Sequence, residues 1–386
     1  MRVLSSSSSS SSSLGERIGA QARALCGAAG FSTRAREVDE VLQEMCASWS
    51  SRGEEQRPRW SSLTDDCSPI ESSVVLAPRP VEVRFCVEAQ ADPASPASYW
   101  EAAQRLNQRL EARFGAHLER LRQLEDLFSP QHRALPMVMW HAVMFGAEGP
   151  PSFKIYLWAG ARGINQASAS CARMLERLGC TRAWERIQAL LRPRDVIAFV
   201  GLDLQAGEEA RVKVYVNHPA PLSAEEYERA ASLSPDSIPG DAATFLRILR
   251  GDEASAGEPP KTTFHASRQV MTSYRIVPGK AGDIDSVALQ FPHALGSPEG
   301  ALAPERTRSL LREHGLPTED YERCLSVFSP LANSYISFQR ARGRPVITPY
   351  FTSRLFAERF GLLTRDWDTL RSWHFPPRAT QEDVHG

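Results

Sequence analysis

The stretch "EEARVKVYVNH", Glu208 to His218, alternates Arg211, Lys213 and Tyr215 with Val212, Val214 and Val216. In a strand those two sets stand on opposite faces, and which face looks outward decides the fold. Taken alone, the stretch reads as a half-exposed strand with its valines in the core and its charges in water. The surrounding sequence reverses that reading.

Strand-like runs come in five successive pairs. "PIESSVVLA" from Pro69 is followed by "RPVEVRFCVEA" from Arg79, and "ALPMVMWHAVMF" turns over at "GAEGPP" into "SFKIYLWA". "DVIAFVGLDL" leads through "QAGEE" into "ARVKVYV", "FHASRQVMTSYRIV" into "IDSVALQFP", and "NSYISFQRA" into "RPVITPYF". Between the pairs lie stretches with helical periodicity: Leu14 to Ala29, Ser32 to Trp49 with Ser32 as N-cap, and Ala97 to Phe128 as one long helix. Others run from Asn165 to Leu178, Thr181 to Leu191, Ser223 to Ser232, Asp241 to Leu249, Ala303 to His314, Thr318 to Val327 and Thr352 to Leu363.

Helices inserted between hairpins by short loops must cover one face of the sheet. The valines of "RVKVYV", with Phe153, Ile155 and Leu157 of "FKIYLW", then pack against helices, and Arg211, Lys213 and Tyr215 point inward. The expected fold is α+β: a ten-stranded antiparallel β-barrel of five β-hairpins surrounded by α-helices, wide enough to hold a ligand in its lumen.

The bulk properties allow one large globular domain or two ordinary ones. The 386 residues are 42% hydrophobic and 24% charged, with a formal net charge of -1 and no basic block, which sets nucleic acid aside as a partner. Cys26, Cys46, Cys67, Cys86, Cys171, Cys180 and Cys324 are scattered without a CxxC pair, so a disulfide framework or zinc site is not expected and a reduced, cytoplasmic setting is. Nine dispersed histidines show no HExxH spacing, and no metal site is expected. The serine tract opening the chain lacks an apolar signal region, and no run of 18 apolar residues predicts a membrane helix. The expected organisation is a flexible tail over 1–13, a single domain over 14–373 and a second tail over 374–386.

Lys154, Arg211 and Lys213 sharing a lumen would require an anion, since buried unpaired charge is costly. Guanidinium and ammonium groups together match a phosphate or diphosphate. Tyr156 and Tyr215 beside them add aromatic faces able to screen a carbocation. There is no P-loop and no DDxxD cluster to hold magnesium, so the cations would bind the diphosphate directly.

"DDCSPIESS" (65–73), "FKIYL" (153–157), "ARVKVYV" (210–216) and "SYISFQRARGRPVITPYF" (334–351), in this order, resemble the dimethylallyltryptophan synthase family of aromatic prenyltransferases, bacterial type. The resemblance implies the αββα (ABBA) barrel and a Friedel-Crafts transfer of a dimethylallyl group from its diphosphate to an indole, L-tryptophan first. It implies no cofactor, no metal, small-molecule substrates and a monomer or homodimer.

By the same resemblance Glu71 would accept the indole N–H. Arg84, Lys154, Arg211, Lys213 and Gln290 would hold the diphosphate, and Tyr156, Tyr215 and Tyr350 would shield the cation, with Tyr335 and Tyr274 as further candidates. In the fourth hairpin Ala288 and Gln290 depart from the family's Lys/Gln and Tyr, which removes one shield tyrosine. His141 is the titratable group near the family's proton acceptor, with water or released diphosphate as alternatives. Other acceptors allowed by the resemblance are a tryptophan-derived dipeptide or peptide and a phenol. A non-catalytic barrel binding a hydrophobic or anionic small molecule is the rival reading.

Overall fold

The computed structural model describes residues 13–356, apart from 54, 57–60, 79, 132–134, 220–221, 252–269, 280–281, 294–297 and 330–331. The tail expected over 374–386, all but Ser13 of the tail expected over 1–13, and the body of the helix expected to end at Leu363 lie outside these residues. So do most of the segment 251–260 and the first residues of the strand expected from Phe264.

Ten strands form one closed antiparallel barrel. They are β1 (Ile70–Leu76), β2 (Pro80–Glu88), β3 (Met139–Gly146), β4 (Ser152–Trp158), β5 (Val196–Asp203), β6 (Val212–His218), β7 (Val270–Ile276), β8 (Ile284–Pro292), β9 (Asn333–Ala341) and β10 (Arg344–Thr352). Each strand pairs with its sequence neighbours, and β10 closes on β1 through Glu71–Thr352 and Ser73–Tyr350. The five expected hairpins are therefore five of the ten antiparallel pairs of the barrel, and closure leaves no edge strand.

The described helices are α1 (Leu14–Ala28), α2 (Ala35–Cys46), α3 (Pro96–Phe114), α4 (Glu119–Phe128), α5 (Ala167–Arg177), α6 (Thr181–Gln188), α7 (Ala224–Ala231), α8 (Asp241–Arg250), α9 (Pro298–Ala301), α10 (Ala303–Glu313) and α11 (Glu319–Leu325). They lie outside the barrel. Its outer face is apolar: Val83, Phe85, Val87, Phe153, Ile155, Leu157, Val212, Val214 and Val216 are at most 2% exposed and belong to one core with Leu106 and Leu110 of α3 and Met174 and Leu175 of α5. Burial of such a side chain stabilises by about 2 kcal/mol, so the valine face of each strand is driven against the helices. The charged face is left for the lumen.

Several helix boundaries differ from the sequence reading. The helix expected from Ala97 to Phe128 is two, because Gly115 adopts φ +69° and its N–H bonds back to Glu111 and Leu110, ending α3. Ser32 opens a short 3-10 turn instead of capping α2, while Ser13 caps α1 in a capping box with Glu16. Thr352 ends β10 and starts no helix.

Candidate active site in the barrel lumen

Register fixes which side chains meet inside. Opposite Ser73 of β1 stands Arg84 of β2, and Ala142 of β3 stands opposite Lys154 of β4. Lys154 faces Asp203 of β5, Gly201 faces Lys213 of β6, and Lys213 faces Arg275 of β7. Alternation places all of these on the face opposite the helix-packed valines.

The result is a cage of cations. Arg84, Lys154, Lys213, Arg275 and Arg211, the last just before β6, lie close enough for their charges to act on one another: Lys213 is pushed well below the usual lysine range, first by burial and then by Lys154, Arg84, Arg275 and Arg211. Lys154 is also lowered by burial, but Asp203 works in the opposite direction. The Lys154 ammonium lies 3.0 Å from Asp203, which also binds Arg211 through its other oxygen. Arg84 pairs with Glu82, and Arg275 with Asp285 at 2.5 Å. Among the described residues Lys213 has no carboxylate partner; its ammonium sits 5.9 Å from the centre of the Tyr215 ring.

Beside the cage runs an aromatic wall. Tyr156 and Tyr215 have ring centres 5.8 Å apart and share a hydroxyl hydrogen bond. Phe199 packs 4.4 Å from Tyr215 and 5.9 Å from Tyr156, and Trp140 lies 5.7 Å from Phe199. Burial raises both tyrosines above the ordinary phenol range, so they remain neutral hydroxyls near neutral pH. Tyr350 joins from β10, hydrogen-bonded to Ser337 and raised by burial, and Tyr335 stands opposite it on β9. Arg84 feels both Tyr350 on β10 and Tyr156 on β4, two strands away on either side, which places all three in one space.

Acidic groups also line the lumen. Glu71 accepts a 2.6 Å hydrogen bond from Ser334, and Glu88 accepts one of 3.1 Å from the Trp140 indole N–H. Both raise the Cys86 thiol that lies between them, after burial itself. Gln290 donates to Ser273 at 3.2 Å. Among the described residues no group of three or more His, Cys, Asp or Glu is placed to hold a metal ion, and no helix is long and apolar enough to cross a membrane.

The tryptophan dimethylallyltransferase family matches residues 44–234. The chain is also similar to solved structures over nearly its whole length. With 5-dimethylallyltryptophan synthase from Streptomyces coelicolor it shares 26% identity at a TM-score of 0.77, covering 90% of this chain and 99% of that one. The prenyltransferase PriB matches at 26% identity and a TM-score of 0.78, covering 92% and 98%. A 6-dimethylallyltryptophan synthase from Micromonospora olivasterospora shares the fold at 23% identity and a TM-score of 0.78, covering 92% and 99%. Over residues 44–234 by family and over nearly the whole chain by fold, the protein is similar to the dimethylallyltryptophan synthase-type, ABBA-fold aromatic prenyltransferases.

The lumen brings together Glu71, Arg84, Lys154, Tyr156, Arg211, Lys213, Tyr215, Gln290, Tyr335 and Tyr350. Two residues picked from the sequence are elsewhere. His141 stands opposite Val87 and Ile155, on the helix-packed face, and its Nε2 bonds the Asn107 side chain of α3 at 3.0 Å. It is fully buried, and desolvation lowers its pKa to about 3, so it is a neutral core histidine. Tyr274 stands opposite Val214, also on the outer face, with its hydroxyl accepting from Thr272.

Lumen residues that the sequence reading missed include Glu88, Trp140, Phe199, Asp203 and Arg275. For Phe199 and Asp203 the signal was present in the alternation of the strand. Phe199, Gly201 and Asp203 alternate with Val200 and Leu202, and Arg275 stands one residue past Tyr274 on the opposite face. Trp140 likewise adjoins His141 with opposite orientation, so a parity error of one residue exchanged both pairs.

Proposed function

We propose that the protein transfers a dimethylallyl group from dimethylallyl diphosphate to the indole ring of L-tryptophan. The observation that carries this reading is the juxtaposition, in one closed lumen, of five cations and a wall of four aromatic rings. Its support from related proteins is that S. coelicolor 5-dimethylallyltryptophan synthase has been solved with DMASPP and Trp, and PriB with L-tryptophan and dimethylallyl thiolodiphosphate.

In the proposed reaction Arg84, Lys154, Arg211, Lys213 and Arg275 hold the diphosphate and stabilise the charge it gains as the allylic C–O bond breaks with its electron pair. The faces of Tyr156, Tyr215 and Tyr350, with Phe199, screen the carbocation from water, whose attack would give the competing alcohol. Glu71 accepts the indole N–H, orients the ring and raises its electron density while a ring π pair forms the new C–C bond. The proton then displaced from the ring carbon goes to the released diphosphate or to water, since His141 lies on the other side of the barrel wall. The cage takes the charge-neutralising role that a metal ion has in other diphosphate enzymes, so the reaction is proposed to need none.

Incubation of the full-length protein with dimethylallyl diphosphate and L-tryptophan in EDTA, followed by mass spectrometry, tests this. Prenylated tryptophan that persists under chelation and falls at least about a hundredfold in Glu71→Gln supports it. Product only with a tryptophan-derived dipeptide or another aromatic acceptor would keep the transfer and replace the acceptor. Diphosphate binding without turnover on any indole or phenol would leave a binding barrel.

A further inference from the structure

The cage contains a carboxylate that diphosphate binding alone does not call for. Asp203 is 2% exposed, in the middle of groups chosen to bind an anion, and would repel the donor's phosphates at close range. Its two oxygens serve two cations, one bonded to Arg211 and the other 3.0 Å from the Lys154 ammonium. The backbone fixes the carboxylate as firmly as the charges do: Asp203 is in register with Lys154, and its N–H donates to the Arg211 carbonyl at 3.0 Å.

We propose that Asp203 is a positioning residue for the diphosphate cage, holding Lys154 and Arg211 in place and keeping Lys154 charged before the donor arrives. This rests on the reading of the cage as a diphosphate site. The charged and titratable groups beside Lys154 are Asp203 of β5, Tyr156 of its own strand, Arg84 of β2, and Arg211 and Lys213 at β6, with Arg275 of β7 acting on Lys213. Burial lowers Lys154 most, Arg211 and Arg84 lower it further, and Asp203 alone among the acting charges raises it. Lys213 is an internal comparison. It stands in the same cage with no carboxylate partner among the described residues, and burial and the neighbouring cations hold it well below the usual lysine range. Asp203 itself is pushed up by burial, but Lys154 and Arg211 outweigh this and bring it to about 2, so it is an anion at any working pH.

Without Asp203, Lys154 would resemble Lys213, and the incoming diphosphate would have to bring a proton with it. The test is calorimetry of inorganic diphosphate binding to the full-length protein, from about pH 6.5 to about pH 8.5, in buffers of different ionisation enthalpy. Asp203→Asn is expected to take up about one proton more per diphosphate than wild type. Its affinity relative to wild type should fall as pH rises, by up to about tenfold per unit. Lys154→Arg combined with Asp203→Asn should abolish both differences, because guanidinium stays charged unaided. Asp203→Ser, which leaves room for water between the cations, is the second variant if the amide does not fold. An unchanged proton count with a constant affinity ratio would overturn the proposal, and so would tighter binding at every pH, the mark of a mere competitor. Failure of wild type to bind diphosphate would instead remove the reading of the cage.

Discussion

Lys213 and His141 are both buried bases, and the consequences run in different directions. Lys213 is held well below the usual lysine range by burial and four neighbouring cations, so it loses its proton at a lower pH than a free lysine. Only the protonated form attracts diphosphate; affinity for the prenyl donor is therefore expected to fall as pH rises through that lowered value. The KM for dimethylallyl diphosphate measured against pH should show this rise, and Lys213→Arg should flatten it.

His141, with a pKa of about 3, is neutral in the folded protein and protonates in the unfolded chain below about 6.5. Its folded-state pKa is depressed, so it removes stability as pH falls from about 6.5 toward 3, by up to about 1.4 kcal/mol per pH unit. His141→Gln should lessen that acid sensitivity in denaturant titrations and leave kcat within about twofold, because the side chain faces α3 and not the lumen. A hundredfold loss of kcat with the fold intact would return His141 to the chemistry.

At the scale of elements, the strands were legible and the helix ends less so. Val212, Val214 and Val216 alternate with charged partners strongly enough to specify both the strand and its buried face, and the same holds for Phe153, Ile155 and Leu157. Gly115 shows what periodicity misses. The apolar spacing continues through it from Leu110 to Leu118, yet its left-handed φ of +69° stops the helix. Gly115→Ala meets no atom within 4 Å, so its expected cost is backbone strain alone, about 1 kcal/mol by denaturant melting.

Gly201 has the opposite logic. Its φ is not in the left-handed region, and an added Cβ would sit 3.5 Å from the Tyr156 ring and 3.6 Å from the Lys154 chain. Gly201→Ala should be tolerated, whereas Gly201→Leu would fill the lumen between cage and aromatic wall and raise the donor KM roughly tenfold or more, with a smaller effect on melting.

For the whole molecule the closed barrel is what turns ordinary strand alternation into a site. An open sheet would expose the same arginines and lysines to water, where neither a diphosphate nor a carbocation would be held or shielded. The aromatic wall adds a prediction at this scale, since excluding water is a property of the enclosure. Phe199→Ala should open space between Trp140, Tyr156 and Tyr215 and shift the products toward dimethylallyl alcohol, measured as the ratio of hydrolysis to transfer.

Hydrophobic periodicity and turn residues, which act over a few positions, were enough for the sequence by itself to determine ten strands in five hairpins, the helices between them and the inward turn of Arg211, Lys213 and Tyr215. Which residue of each adjacent pair reached the lumen was decided only by tertiary structure. A register change of one residue sends every side chain of a strand to the other face. "MWHAV" and "TSYRI" are apolar or mixed on both faces, so nothing local distinguishes Trp140 from His141 or Arg275 from Tyr274. Pairing with β2, β4, β6 and β8 makes the choice. The same pairing brings Asp203 between Lys154 and Arg211, because the contact is made across three strands and no single stretch of chain contains it.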